Sequence, residues 1–410
     1  MKKIALLHYA YPPNIGGVEI LLREHAKILV EMGYQVSVIT GDGEEKNPKI
    51  NFVKIPEIQS ILKFNPQLYE KIVEKGIVDD EFYSLVKIIQ DNLESHLNKQ
   101  DVIIIHNMLT LIHNLPFVYF LKNYFKKKPN KKLIVWAHDQ TYIDGENILK
   151  EKQGVNLNPE EKDLLLKPIN NAIYVIISET FKELLVKVMD LSKNKTFVVP
   201  DGIDLKKFLE IDDSIWKVVK EKQLLSSFPL ILSPVNILYR KNLEYCFDVV
   251  FQLKKFFPNI RYIISGKVSN HRKNQGYFEG LLTQIDKLNL KENVIFLNDH
   301  FDRSLENSEI HDLYDLSDLV LFFSKGENFG LPLLEAALTS TPVFVSNLKV
   351  FKEIGGNNLF NIDSNNQTSE QTADYIKNFL ETDKIIQLKK TARQKYNLET
   401  IIKEKLVPLL

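Results

Sequence analysis

Two carboxylates stand eight residues apart in the run Ser324-Lys325-Gly326-Glu327-Asn328-Phe329-Gly330-Leu331-Pro332-Leu333-Leu334-Glu335-Ala336. The apolar run Leu319 to Phe323 before it reads as a buried strand, and Leu333 to Leu338 after it as a helix, with Pro332 suited to a first helical position. Glu327 then sits on a strand-to-helix loop and Glu335 a turn or so into the helix. Open α/β sheets hold ligands just past the C-terminal ends of their strands, and a helix N-terminus there offers free N–H groups to an anion. Two acceptor carboxylates beside such a helix suit a ligand that is negative at a diphosphate and rich in hydroxyls elsewhere. Taken singly each has a plainer reading, Glu327 as a solvated loop residue and Glu335 as a charge favoured by the helix dipole.

Other strand-to-helix loops carry chemistry-bearing residues. In Pro12-Pro13-Asn14-Ile15-Gly16-Gly17-Val18-Glu19 the adjacent Gly16 and Gly17 let the backbone approach a ligand closely, or simply make a turn. His138 and Asp139 directly follow the apolar run Leu133 to Trp136, and His106 follows one ending at Ile105. After the run Leu230 to Ser233 comes Pro234-Val235-Asn236-Ile237-Leu238-Tyr239-Arg240-Lys241-Asn242, whose cations either meet an anion or are solvated. Gly266 and the stretch Asn298 to His300 follow two further strands.

These residues need a scaffold that presents strand ends. Ile4 to His8, Val36 to Thr40, Val102 to Ile105, Leu133 to Trp136 and Ile173 to Ile177 read as strands separated by helical stretches. A second series holds Leu230 to Ser233, Tyr262 to Ser265, Val294 to Leu297, Leu319 to Phe323 and Val343 to Ser346. Both series predict doubly wound α/β domains with right-handed crossovers. A chain of 410 residues exceeds the size at which a single core keeps growing, and the Pro and Gly of Val198-Val199-Pro200-Asp201-Gly202-Ile203-Asp204 set the boundary near residue 200.

Lys plus Arg total 53 and Asp plus Glu total 53, a balance that argues against a general nucleic-acid binder. The single cysteine, Cys246, can form no intramolecular disulfide and fits a reducing cytoplasm. His8, Tyr9, Tyr11, Pro12 and Pro13 cut the N-terminal apolar stretch too short for a signal peptide, and no segment approaches the roughly 20 apolar residues that span a bilayer. No Asp-x-Asp in an informative loop and no His/Cys cluster marks a metal site. The stretch 117–132 interleaves Phe120, Leu121, Tyr124 and Phe125 with six lysines, either a helix for peripheral contact with an anionic membrane or a crossover helix packed on the sheet, the latter favoured.

Gly-Glu-Asn-Phe-Gly-Leu-Pro-Leu-Leu-Glu-Ala resembles the Glu-x7-Glu signature of the retaining, nucleotide-sugar-dependent glycosyltransferases of family 4. The resemblance implies the GT-B fold, two Rossmann-like domains facing across a cleft: residues 1–200 binding the acceptor, 201–390 binding the donor, and about 390–410 returning to the first. It gives Glu327 the donor sugar, with a catalytic role shared with His138, and Glu335 the ribose hydroxyls. Gly16 and Gly17 are expected near the donor diphosphate, with Asn328, Phe329, Gly330 and Leu331 around the donor; Asp139, Asn236 and Gly266 are lesser candidates. His138 is assigned a positioning or electrostatic role and no covalent one; His106 is structural or acceptor-facing. The chain departs from the pattern twice. Lys241 matches the family's diphosphate lysine, but the arginine position five residues earlier holds Asn236, and Arg240 is the substitute at hand. Pro200-Asp201-Gly202-Ile203-Asp204 matches an interdomain segment that usually has Asn at the second place; both residues serve a turn.

The expected activity is retaining transfer of a hexose from a UDP- or GDP-linked sugar to a saccharide, small-solute or lipid acceptor. It is expected to need no cofactor and no metal, in the cytoplasm or at the inner face of its membrane. An epimerase or phosphorylase of the same fold, and a non-catalytic sugar-nucleotide-binding protein, are the rival readings. These residues do not separate UDP from GDP, identify the acceptor or give the oligomeric state.

Overall fold

A computed structural model describes residues 1–14, 16–268 and 272–410, and of 272 and 273 the backbone alone. The chain divides into two units, Met1–Gly202 with Leu398–Leu410, and Ile203–Asn397.

The first unit is built on β1 (Lys3–Ala10), β2 (Gln35–Asp42), β3 (Asn51–Lys54), β4 (Val102–His106), β5 (Lys132–Ala137), β6 (Ile173–Ile176) and β7 (Thr196–Val198). They form one parallel sheet in the order β3-β2-β1-β4-β5-β6-β7. Strands such as Ile4-Ala5-Leu6-Leu7 and Val102-Ile103-Ile104-Ile105 are apolar without alternation because both faces are covered, and all eight residues are buried. One face packs on Phe82, Leu93, Phe117, Leu121 and Tyr124, the other on Leu22, Ala26, Leu29 and the returning Leu398, Ile402 and Leu406. The strand order reverses between β1 and β4, so their C-terminal loops diverge and leave a crevice there.

The second unit contains β8 (Leu230–Ser233), β9 (Arg261–Ile264), β10 (Val294–Phe296), β11 (Leu319–Phe322), β12 (Val343–Ser346) and β13 (Phe360–Ile362). The sheet is again parallel, ordered β10-β9-β8-β11-β12-β13, and reverses between β8 and β11. The two loops that leave this reversal are the cationic stretch 234–242 and the loop carrying Glu327.

The chain re-enters the first unit at Leu398, some residues later than the expected 390. The helix Lys384–Lys395 stays with the second unit because the buried Arg393 is anchored there. Its guanidinium donates to both oxygens of Asp318, at 3.0 and 2.7 Å, and to the carbonyls of Leu316 and Ser227. Beyond it, Gly202 accepts the returning segment so closely that a Cβ there would lie 2.8 Å from Leu398 Cα.

Most of the stretch 117–132 forms the helix Leu115–Lys127, and Phe117, Phe120, Leu121, Tyr124 and Phe125 are all buried in the core of the first unit. The aromatic face on which membrane contact would depend is covered; Lys122 Nζ in turn donates to the carbonyls of Asp163 and Lys167. Among the described residues no helix is long and apolar enough to cross a membrane.

Candidate active site

The loop after β11 turns into the helix Leu331–Leu338 through Gly330, whose φ of +106° belongs to the left-handed region. A Cβ at Gly330 would come within 2.6 Å of the Phe351 ring, so this position needs glycine for conformation and for space. The turn aims Glu327 back at the loop after β8. Its carboxylate accepts hydrogen bonds from Arg240 Nη1 at 2.8 Å, from Ser324 Oγ at 2.8 Å and from Lys241 Nζ. Burial by itself would raise the Glu327 pKa, but the bonds from Lys241, Ser324 and Arg240 outweigh it and hold the carboxyl below its ordinary value. Burial lowers the Lys241 pKa, and Glu327 opposes that shift. Lys241 also lies over the Phe322 ring, 5.1 Å from its centroid.

Glu335 faces inward from the same helix, and its Oε2 accepts from the buried Tyr314 hydroxyl at 2.8 Å. Tyr239, Arg240, Glu327, Phe329 and Leu331 line an open cavity of about 820 Å³, with Phe329 and Leu331 both exposed. Lys325 lines the same cavity, but its ammonium is held by Glu244 and by the Tyr239 ring and not by Glu327. Glu327, Arg240, Lys241 and the loop 328–331 thus form one group, with Glu335 on the adjoining helix.

Asn236 lies elsewhere on the same edge of the sheet. It lines a smaller cavity of about 190 Å³ with Gly266, Lys267, Asn298 and Arg303. Its Oδ1 accepts from the Lys267 backbone N–H at 3.2 Å, while Ile237 N–H donates to the Lys267 carbonyl. Gly266 permits that apposition, since a Cβ there would stand 2.3 Å from the Val235 carbonyl oxygen. Asn236 therefore fastens the loop after β9 where the family pattern has a cation. Of the two cations in this cavity Arg303 is committed to Glu309, donating from Nη1 and Nη2 at 2.7 Å each.

In the first unit the helix Gly17–Glu31 begins after Gly16. The Glu19 carboxylate lies so close over Gly16 that a Cβ there would collide with it. Glu19 is held below its ordinary pKa chiefly by His8, whose Nε2 is 3.7 Å from it. This helix N-terminus is thus already faced by an anion of the chain itself, an arrangement the glycine pair alone did not disclose.

His138, at the end of β5, is buried, and both its ring nitrogens are occupied. Nε2 is 3.2 Å from His106 Nδ1 and Nδ1 is 3.3 Å from Asp201 Oδ2. Asn107, at φ 59°, fixes the loop by accepting the backbone N–H groups of His138 and Asp139 on its Oδ1, at 2.6 and 2.9 Å. His106 is completely buried between His138, Trp136 and His25, and burial pushes its pKa well below the ordinary value; the same effect brings His25 to about 3. Asp139 itself is exposed. Tyr314, Ser324, Lys267 and Asp201 join the site residues only through contacts made in the fold. Only Asp201 carried a signal, as an acidic residue where the family has an amide.

Two parallel Rossmann-like units, one with paired carboxylates at its topological switch point, define a GT-B type transferase. The family described as "Glycosyl transferases group 1" matches residues 214–398, and "Glycosyltransferase Family 4" matches 15–207. The chain is a glycosyltransferase whose second unit matches the group 1 family and whose first unit matches family 4. It is 26% identical over 388 residues to a mannosylglucosylglycerate synthase of Petrotoga mobilis, covering 86% of this chain and 84% of that one. An uncharacterized glycosyltransferase of Methanocaldococcus jannaschii is 24% identical over 361 residues, covering 86% and 82%. Among solved structures, Anabaena HepE in complex with UDP and glucose aligns over 100% of this chain and 99% of that one, at 17% identity and a TM-score of 0.36.

Proposed function

We propose that the enzyme transfers a hexose, with retention of anomeric configuration, from a nucleotide-diphosphate sugar to a saccharide, small-solute or lipid acceptor. One observation carries the reading: the Glu327 carboxylate is anionic and shared between Arg240 and Lys241, so sugar-hydroxyl acceptor and diphosphate cations stand side by side. The leaving nucleoside diphosphate gains negative charge as the glycosidic bond breaks, and preorganised cations stabilise that charge more than the ground state. A single contact of this kind typically lowers the barrier by about 2–4 kcal/mol. Arg240, Lys241 and the N–H groups at the start of the helix Leu331–Leu338 supply it without a metal ion.

Glu335, fixed by Tyr314, holds the ribose, and the cavity lined by Asn236, Gly266 and Asn298 takes the nucleobase side of the donor. His138 acts by position, because both its nitrogens are engaged within the protein. The first unit holds the acceptor. The name of the Petrotoga relative, a synthase of a glycosylated sugar acid, puts glycerate glycosides first in the acceptor screen.

The test is incubation with UDP- and GDP-linked hexoses and a panel of sugar, sugar-acid and lipid acceptors. Mass spectrometry reads the product, and the proton coupling at its anomeric carbon reads the stereochemistry. The reading expects a glycoside with the donor's configuration; an inverted product rejects retention. Product formed from donor alone, or only with free phosphate, favours the epimerase or phosphorylase instead.

A further inference from the structure

We propose that Asp201 and His106 are positioning residues that hold His138 as the Nδ1–H tautomer, its Nδ1–H directed at the Asp201 carboxylate and its Nε2 accepting from His106 Nδ1. The inference rests on the role given to His138 in the proposed function and specifies how that role is built.

Donor and acceptor chemistry fixes the order of the chain. An ionised carboxylate only accepts, so the nitrogen facing Asp201 Oδ2 across 3.3 Å must carry a hydrogen. The other nitrogen of His138 is 3.2 Å from His106 Nδ1, and one proton serves that pair. If His138 donated it, His106 would carry its own hydrogen on Nε2, which is buried with no partner. That arrangement puts a cationic ring in a site where the side chain is 5% exposed, beside an orphaned N–H. If His106 donates, His138 stays uncharged and no buried N–H of His106 is stranded. The burial of His106 disfavours its protonated form and leaves it a single ring hydrogen in either arrangement, so the choice rests on where that hydrogen finds a partner.

The surroundings are rigid enough to keep this order. The rings of Trp136 and His138 lie 6.0 Å apart at 4°, and those of His106 and Trp136 5.0 Å apart at 22°. The backbone N–H of His138 is bonded to Asn107, and that of Val199 to the Ile176 carbonyl, which places the segment bearing Asp201 against β6. Gly202, pressed against Leu398, leaves that segment little room to move. An asparagine at 201 could present either its oxygen or its NH2 to the ring, whereas aspartate specifies one tautomer. The exchange that reads in the sequence as a neutral turn substitution is thus tied to the histidine. With both nitrogens committed, His138 is a fixed wall of the site and neither gives nor takes a proton.

Long-range 1H–15N spectra of the imidazole resonances, assigned through His138→Ala and His106→Asn, test this on the full chain at neutral pH. The expected wild-type spectrum has a protonated Nδ1 and a bare Nε2 on His138. Asp201→Ala should give a tautomer mixture and lower kcat on the order of tenfold to a hundredfold, with donor KM unchanged, since a small misplacement of a reacting geometry has that cost. Asp201→Asn, whose amide can present either its oxygen or its NH2, should fall between wild type and Asp201→Ala in both tautomer and kcat, while His106→Asn keeps a donor for His138 Nε2 and should preserve the tautomer and most of kcat; melting curves verify their folding. An Nε2–H tautomer or an imidazolium in the wild type overturns the proposal, as does Asp201→Ala with unchanged spectrum and turnover when His138→Ala is inactive. Full turnover by His138→Ala overturns the role of His138 and this inference with it.

Discussion

Arg240 and Glu327 meet at 2.8 Å, although 87 residues separate them in the chain, because the loops after β8 and β11 leave adjacent strands at the sheet's reversal point. Lys241 reaches the same carboxylate from the next position. The contact turns two separately ambiguous loop charges into a single ionic centre. Arg240 is half exposed, so its share of the pairing adds little to stability, and its value lies in being available to a ligand.

Removing Lys241 should move the acid limb of activity. Burial raises the Glu327 pKa, and the Lys241 bond is the largest opposing influence. In Lys241→Met the carboxyl therefore protonates at higher pH, and the acid limb of kcat/KM shifts upward while donor affinity falls. A pH profile of the variant checks this, and an unmoved acid limb contradicts it.

Tyr314→Phe should weaken the donor without slowing chemistry. The hydroxyl bonds Glu335 at 2.8 Å, and a hydrogen bond to a charged group contributes about 1.5–3 kcal/mol. Donor KM is expected to rise on the order of tenfold with kcat nearly constant, the pattern of lost ground-state binding. Initial-rate kinetics over a range of donor concentrations measure it.

Acid should destabilise the second unit partly through Glu309. Its hydrogen bonds from Arg303, opposed by burial and aided by Ser214, bring its pKa to about 2. A folded-state pKa depressed in this way gives stability that is present above the ordinary carboxylate value of 4.5 and lost as pH falls toward about 2. Glu309→Gln is expected to be less stable at neutral pH and to lose less between pH 4.5 and 2 than the wild type. Urea unfolding followed across that range decides it.

Arg393→Leu should be among the most damaging changes outside the site. It strands Asp318, which is 1% exposed and also accepts the Leu230 backbone N–H. Breaking a buried pair from one side costs about 3–5 kcal/mol, so the unfolding midpoint of the second unit should fall sharply. Replacing both partners together should be milder, and denaturant titration of the single and double variants compares them.

The long central strands were legible because a strand covered on both faces must be apolar throughout. Leu230–Ser233 and Val343–Ser346 begin and end where the sequence places them. Three further strands, Asn51–Lys54, Thr196–Val198 and Phe360–Ile362, escaped notice. All are short, and β3, β7 and β13 lie at sheet edges, where half-exposed positions admit Asn, Lys and Thr and the apolar signal fades. Glu327 and Glu335 were visible through a local spacing. Tyr314 and Ser324 were not, and Asp201 showed only as an acid in place of an amide, because their importance lies in a contact with one other side chain that only the folded chain brings near. At the glycine pair the local pattern did not disclose Glu19, whose carboxylate lies over Gly16 while Gly17 stays open.

The most direct test of the central claim is turnover of the preferred donor and acceptor by Glu327→Ala, with circular dichroism and melting temperature as controls for the fold. Loss of this carboxylate should leave the spectrum of the wild type and abolish glycoside formation, a drop of at least about a hundredfold in kcat. A folded Glu327→Ala enzyme that turns over at the wild-type rate contradicts the account.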